Sequence, residues 1–238
     1  MGTQERPTGA AVDGVHDDPD DPASDDALGS GRSNGLTQDQ RSALSSKRLL
    51  EAAGDLIVEN GYSTLTLSQV GARAGYSRGL ASMRFGTKEK LLEALLDSIT
   101  KRWKHRHVQP RTVDAPAIDS ILVLVDEIRV QIRRDPRSVR VLYTLMFEAL
   151  AGNEFLRQHF IAWNRARRQD VVDLLRRGIA DRSVRPDVDV HVEAANIVAS
   201  LRGIAYQWVL DPDGFDPVAP LGLLSSTVAT RLAPPSCP

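Results

Sequence analysis

The side chains best suited to recognition chemistry in this 238-residue sequence fall within one stretch, Thr66 to Lys88, which reads TLSQVGARAGYSRGLASMRFGTK. Arg78 and Arg84 carry guanidinium forks that match either the acceptor pair on a guanine edge or the oxygens of a phosphate. The hydroxyls of Thr66, Ser77 and Ser82 and the ammonium of Lys88 are donors suited to phosphate oxygens, and Met83 offers an apolar surface to a thymine methyl. Together these residue types describe a surface that grips a DNA backbone and reads base edges.

That chemistry needs a rigid mount, and the same stretch supplies one. Thr66, with Gln69 three residues on, is a capping-box pair that starts a short helix whose apolar face is Val70 and Ala74. Gly75 ends it, because glycine enters the left-handed conformation of a tight turn without a steric cost. Ser77 is the expected N-cap of a second helix over residues 78–85, and Thr87 that of a third beginning at Lys88. Two short helices joined by a tight turn are the layout of a helix-turn-helix, whose second helix enters the major groove. Upstream, residues 41–60 carry Leu49, Ala53, Leu56 and Ile57 at helical spacing, with Lys47, Arg48, Glu51, Asp55 and Glu59 on other faces, and stop at Asn60-Gly61. Such a helix in front and a long one behind supply the burial that two short helices lack.

From about Leu49 to Leu96 the chain resembles the DNA-binding domain of the tetracycline-repressor (TetR) family of bacterial regulators. The residues that carry the resemblance are LLEAAGDLIVENGY, TLSQVGARAGYSRG and FGTKEKLLEAL, with the caps, glycines, Phe85, Lys88 and Leu91 in the family's order and spacing. Family members often have Tyr at the position of Ser82 and an aromatic or His at those of Met83 and Arg84. The resemblance therefore implies DNA binding with a different pattern of phosphate contacts.

Composition bounds the rest. Residues 1–40 hold 9 Asp+Glu against 2 Lys+Arg, residues 41–110 hold 6 against 12, and the remainder is balanced at 16 against 16. Positive charge is thus concentrated on the helix-turn-helix region, the electrostatic footprint of phosphate binding. The acidic, Gly/Pro/Ser-rich tail is expected to be disordered and solvated, and its Gly31-Arg32-Ser33-Asn34-Gly35 is a chance match to a nucleophile elbow. The lone Cys237 pairs with no second cysteine of the chain, and nothing approaches the length of a membrane span or a signal peptide, so a soluble, cytoplasmic protein is expected. The basic run KRWKHRH at 101–107 reads as a solvated helix end. Its histidines, with His159 and His191, make no metal-ligand pattern; no metal, cofactor or catalytic triad is expected.

The expected fold class is all-α. A tail (1–40) precedes the helix-turn-helix domain (41–100), a helical domain (101–233) and a short C-terminus (234–238). Breakers at Asp135-Pro136, Gly152-Asn153, Arg185-Pro186 and Asp211 to Gly214 delimit helices at about 116–134, 136–151, 154–181, 188–210 and 217–232. In the family, helices so placed hold a small molecule and supply a dimer surface, and the resemblance implies both here. Tyr143, Met146, Phe147, Phe160, Trp163 and Trp208 are the candidate lining of an apolar cavity, with core packing as the plainer role of each. Arg140, Glu148, Asn164, Arg167 and Gln207 are candidates to orient a polar group of a ligand or else face water. The last two helices, with Ala195, Val198, Ala199, Leu201, Leu224 and Val228, are candidates to pair with a second copy, although periodicity alone cannot separate an interface from an intrachain core. The expected function is a homodimeric regulator, a repressor of a palindromic operator released by a small, largely apolar ligand. The alternative is a helical small-molecule-binding protein or enzyme that has lost specific DNA binding.

Overall fold

The computed structural model describes residues 37–112 and 114–234; the acidic tail with its Gly31 to Gly35 stretch, and Cys237, lie outside them. Regular structure among the described residues is helical throughout. Helix α1 (Gln38–Asn60) starts earlier than its apolar periodicity predicts, because Thr37 and Gln40 form a capping box: Thr37 Oγ1 accepts from Gln40 N at 3.2 Å and Gln40 Oε1 from Thr37 N at 2.9 Å. Helix α2 (Leu67–Arg73) opens on the expected Thr66–Gln69 capping box, and Gly75 follows it with φ of +77°.

Helix α3 (Leu80–Phe85) begins two residues later than its predicted start, and Ser77 does not cap it. Residues 77–79 form a turn closed by Leu80 N donating to the Ser77 carbonyl at 3.1 Å. Close packing on α2 fixes that turn. A Cβ built on Gly71 would stand 2.6 Å from the Ser77 carbonyl oxygen and 3.3 Å from Arg78 Cα, so only glycine lets the two helices approach this closely. Helix α4 (Lys88–Trp103) has the expected Thr87 cap, accepting from Lys90 N at 3.2 Å. It leaves α-helical geometry in the basic run, through a π-helical turn at Lys104–Val108 and a 3-10 turn at Gln109–Arg111.

Five further helices match their predicted spans to within two residues: α5 (Ala117–Arg134), α6 (Pro136–Leu150), α7 (Glu154–Ala180), α8 (Val190–Leu210) and α9 (Val218–Leu232). Their starts are local chemistry. Asp135 accepts from Ser138 N at 3.1 Å ahead of Pro136, and Asn153 accepts from Leu156 N at 3.1 Å just after Gly152 turns the chain at φ +105°.

The apolar faces merge into three cores. The first joins α1 to α4 (Leu49, Ile57, Val70, Ala81, Leu91) and runs on into α6 and α7 through Leu142, Leu145, Leu156 and Phe160. A second packs α5, α7, α8 and α9 around Ile121, Val125, Leu175, Ile197 and Val228. A third, smaller one holds Ile132, Val139, Tyr143 and Trp208. Because α6 contributes to the first core and the third, it is shared between the helix-turn-helix and the C-terminal helices.

Candidate nucleic-acid interface and effector cavity

The helix-turn-helix presents a compact exposed arc. Ala81 is fully buried, which turns Arg78, Ser82 and Met83 outward, and Met83 is 77% exposed. At about 1.5 Å per residue, six-residue α3 is about 9 Å long, a fit for a major groove about 12 Å wide. Thr66 is exposed, its hydroxyl bound to Gln69 Oε1 at 2.8 Å, and exposed Ser77 precedes α3 in the turn.

Two cations of the sequence-derived set also make contacts within the domain. Arg84 reaches back to α1, donating to Ser42 Oγ at 2.6 Å and Ser45 Oγ at 3.2 Å, and so ties α3 to the start of α1. Lys88 donates to the Ser63 carbonyl at 3.0 Å and lies 4.2 Å from the centre of the Tyr62 ring. Burial holds its pKa below the ordinary lysine value, and the same turn buries Tyr62, whose pKa is pushed up to about 12. Arg84 and Lys88 therefore brace the recognition unit from within.

The brace continues into α6. The Glu148 carboxylate accepts from Ser63 N at 3.0 Å, from Ser63 Oγ at 2.8 Å and from Tyr62 N, capping the connection between α1 and α2. About three turns earlier on the same face of α6, Arg137 pairs with Asp55 at 2.6 Å and donates to the Glu51 carbonyl of α1. Sequence reasoning offered Glu148 as a group that orients a ligand or faces water; the structure places its carboxylate against Tyr62 and Ser63 of the helix-turn-helix domain. No spacing rule links it to residues so far away in the chain.

On its other side α6 borders a cavity of ≈ 90 Å³ among α4, α5, α7 and α8. Leu142, Tyr143 and Met146 of α6 face Leu124 and Ile128 of α5, Trp163 and Val171 of α7, and Leu201 and Arg202 of α8. Tyr143 Oη donates to the Arg202 carbonyl at 2.9 Å, and burial pushes its pKa up to about 12. A more open apolar cleft adjoins, sharing Tyr143, Met146 and Arg202 and adding Phe147, Phe160 and Tyr206.

Residues 49–95 match the family described as "Bacterial regulatory proteins, tetR family", and residues 117–233 match "BetI-type transcriptional repressor, C-terminal". The chain belongs to the TetR family of transcriptional regulators. Its fold is the family's: an N-terminal DNA-binding helix-turn-helix followed by a helical ligand-binding domain.

Solved relatives of this TetR-family chain share the fold at low identity. One is the complex of SmeT with triclosan, 20% identical with a TM-score of 0.70 over 81% of this chain and 93% of that one; SmeT is the repressor of the Stenotrophomonas maltophilia multidrug efflux pump SmeDEF. Another is the transcriptional regulator FadR from Bacillus subtilis with stearoyl-CoA, 20% identical, TM-score 0.67, covering 78% and 98%. A regulator from Chloroflexus aurantiacus is 23% identical, TM-score 0.65, covering 80% and 94%. No curated protein matches the sequence.

Within this TetR-family framework the candidate lining residues divide. Tyr143, Met146 and Trp163 line the inner cavity, Phe147 and Phe160 only the outer cleft, and Trp208 neither: it packs in the third core under Arg140, 5.6 Å away. Of the interface candidates, Val198 and Val228 are buried in the protomer's own core and Leu201 lines the cavity. Their apolar side chains are consumed within the chain, which leaves the exposed face of α8 and α9 to Ala195, Ala199 and Gly203, with Leu224 half-buried and Leu223 69% exposed. Arg202 is a cavity-lining residue that the sequence reasoning missed. Its signal was present: it is the one charged residue between Ala194 and Leu210.

Among the described residues no helix is long and apolar enough to cross a membrane, and no group of three His, Cys, Asp or Glu is placed to hold a metal.

Proposed function

We propose that this TetR-family regulator is a homodimeric repressor that binds an inverted-repeat operator and is released when a small, largely apolar molecule occupies the cavity beside α6. The observation that carries this reading is the double engagement of α6, which borders the cavity through Tyr143 and Met146 and grips the α1–α2 connection through Glu148. An occupant that favours a displaced α6 shifts the protein toward that state by its differential affinity, with coupling of about 1 to 3 kcal/mol. Triclosan in the SmeT complex and stearoyl-CoA in the B. subtilis FadR complex support a small-molecule effector.

Arg78 and Met83 are assigned to base edges, and Thr66, Ser77 and Ser82 to phosphates. Arg84 and Lys88 act one step behind, by orienting α3 and its turn.

A second copy fits the exposed face of α8 and α9. A Cβ built on Gly203 meets nothing within 4 Å in the protomer, so the chain's own packing does not demand glycine there. Ala195, Ala199 and Gly203 recur every four residues, a row of small side chains along which another helix can approach closely. Dimerisation sets two recognition helices against half-sites one helical turn, about 34 Å, apart.

A reporter gene placed behind an operator selected from random DNA tests the sign of regulation. Reduced expression with the protein present is expected; raised expression would make the chain an activator.

A further inference from the structure

Resting on the ligand-binding reading above, we infer that the effector carries an anionic head group of the carboxylate type, seated against Arg202 with Arg167 flanking it, and that its apolar body occupies the cavity.

The lining of the cavity is apolar apart from a few groups, and its charge is unbalanced. Glu127 is the one carboxylate in it against the two guanidinium groups of Arg167 and Arg202. Arg202 is the more deeply placed. Burial holds its pKa below the ordinary arginine value; Tyr143 acts against that shift, and the cations Arg167 and Arg168 add to it. Its Nε is buried without a hydrogen-bond partner among the described residues, and Nη1 meets only the soft sulfur of Met146 at 3.5 Å. A buried guanidinium donor left open costs free energy in the empty protein and is recovered by an acceptor that arrives with the ligand.

The second cation converges on the same spot. Arg202 lies 4.5 Å and Arg167 6.0 Å from the centre of the Trp163 ring, so two like charges flank one indole. Among the described residues, the ion pair of Arg167 is a long one with Asp170, at 3.8 Å. An anion between the two would relieve their repulsion and fill the open donor, whereas a cationic ligand would add to it. Arg202 also belongs to both the inner cavity and the outer apolar cleft, which gives an amphipathic molecule a route in with its head at the junction. At ≈ 90 Å³ the cavity is smaller than the ~150 Å³ void that admits benzene, so a long body would extend toward the cleft.

The test uses the full-length protein and three probe series: butanoate, octanoate and dodecanoate, the alcohols of the same chain lengths, and the corresponding alkylammonium ions. Binding is read by thermal shift and by Trp fluorescence. At least one carboxylate is expected to bind about tenfold or more tightly than its alcohol, with the ammonium ion weakest. Arg202→Met, which keeps the apolar volume, is expected to abolish that preference. Arg202→Lys, which keeps the charge, is expected to retain part of it and so guards against a variant that merely unfolds. Alcohols or ammonium ions binding as well as carboxylates would overturn the anionic head group and leave ligand binding standing. The absence of binding by every member of all three series would overturn both.

Discussion

Glu148 and Ser63, far apart in the chain, meet through two hydrogen bonds, with Ser63 N at 3.0 Å and Ser63 Oγ at 2.8 Å from the same carboxylate oxygen. The contact joins the helix that borders the cavity to the turn that carries the helix-turn-helix, and it gives the proposed coupling a physical location.

Removing it has a definite consequence. Glu148→Ala leaves the part-buried Tyr62 amide without its acceptor, an expected cost of about 1 kcal/mol or more, while water can replace the carboxylate at the exposed Ser63. Urea denaturation reads that loss. Operator affinity is expected to fall with it and the response to effector to shrink; unchanged stability and unchanged response would remove Glu148 from the coupling.

Arg78 and Lys88 are expected to behave differently. Arg78 is exposed on the recognition surface, so Arg78→Ala is expected to weaken operator binding by about 1 to 3 kcal/mol and relax preference at one base pair per half-site. Lys88 is committed to the Ser63 carbonyl and the Tyr62 ring. Lys88→Ala is therefore expected to lower stability and binding together with little change in the dependence of affinity on salt. A slope shallower by about one counterion would assign it to a phosphate instead.

Much of this fold was written in local signals. Thr66 with Gln69, Thr87, Asn153 and Pro136 mark helix starts through chemistry that spans three or four residues, and all four stand where they were read. What local signals did not show shares a cause. Ser77 looked like a cap because the packing of its carbonyl on Gly71 is a tertiary contact, and Val198 looked like an interface residue because periodicity marks an apolar face without saying what covers it. Arg84 was read as a candidate for base edges or nearby phosphates; its bonds to Ser42 and Ser45 were not legible, because they join residues no sequence pattern connects.

The α8–α9 face carries its own test. Because nothing in the protomer lies within reach of a Cβ at Gly203, Gly203→Leu is expected to leave the protomer folded and to gain slightly in helix propensity, yet to obstruct a closely packed second copy. Sedimentation equilibrium is expected to show dimer for the unmodified chain and a shift toward monomer for the variant. A variant that remains fully dimeric would move the interface elsewhere.

His159 gives the stability a pH dependence. Packed edge-on against Phe160 at 5.5 Å and half-buried on α7, it has a pKa lowered by burial from the ordinary 6.5, more than Glu93 and Asp97 of α4 offset. The unfolded chain then takes up the proton first, so this contribution is present above about pH 6.5 and is lost as pH falls through the lowered folded-state value. Denaturation midpoints are expected to drop between pH 7.5 and pH 5.5, and His159→Gln to flatten that part of the profile. An identical profile in the variant would assign the dependence to other groups.

The most direct measurement of the central claim is selection of the purified full-length protein against random double-stranded DNA, followed by anisotropy titration of the enriched sequence at several salt concentrations. An inverted repeat with half-sites one helical turn apart, bound tightly and with strong salt sensitivity, is the expected result. Recovery of no motif, with only weak salt-sensitive binding, would contradict it.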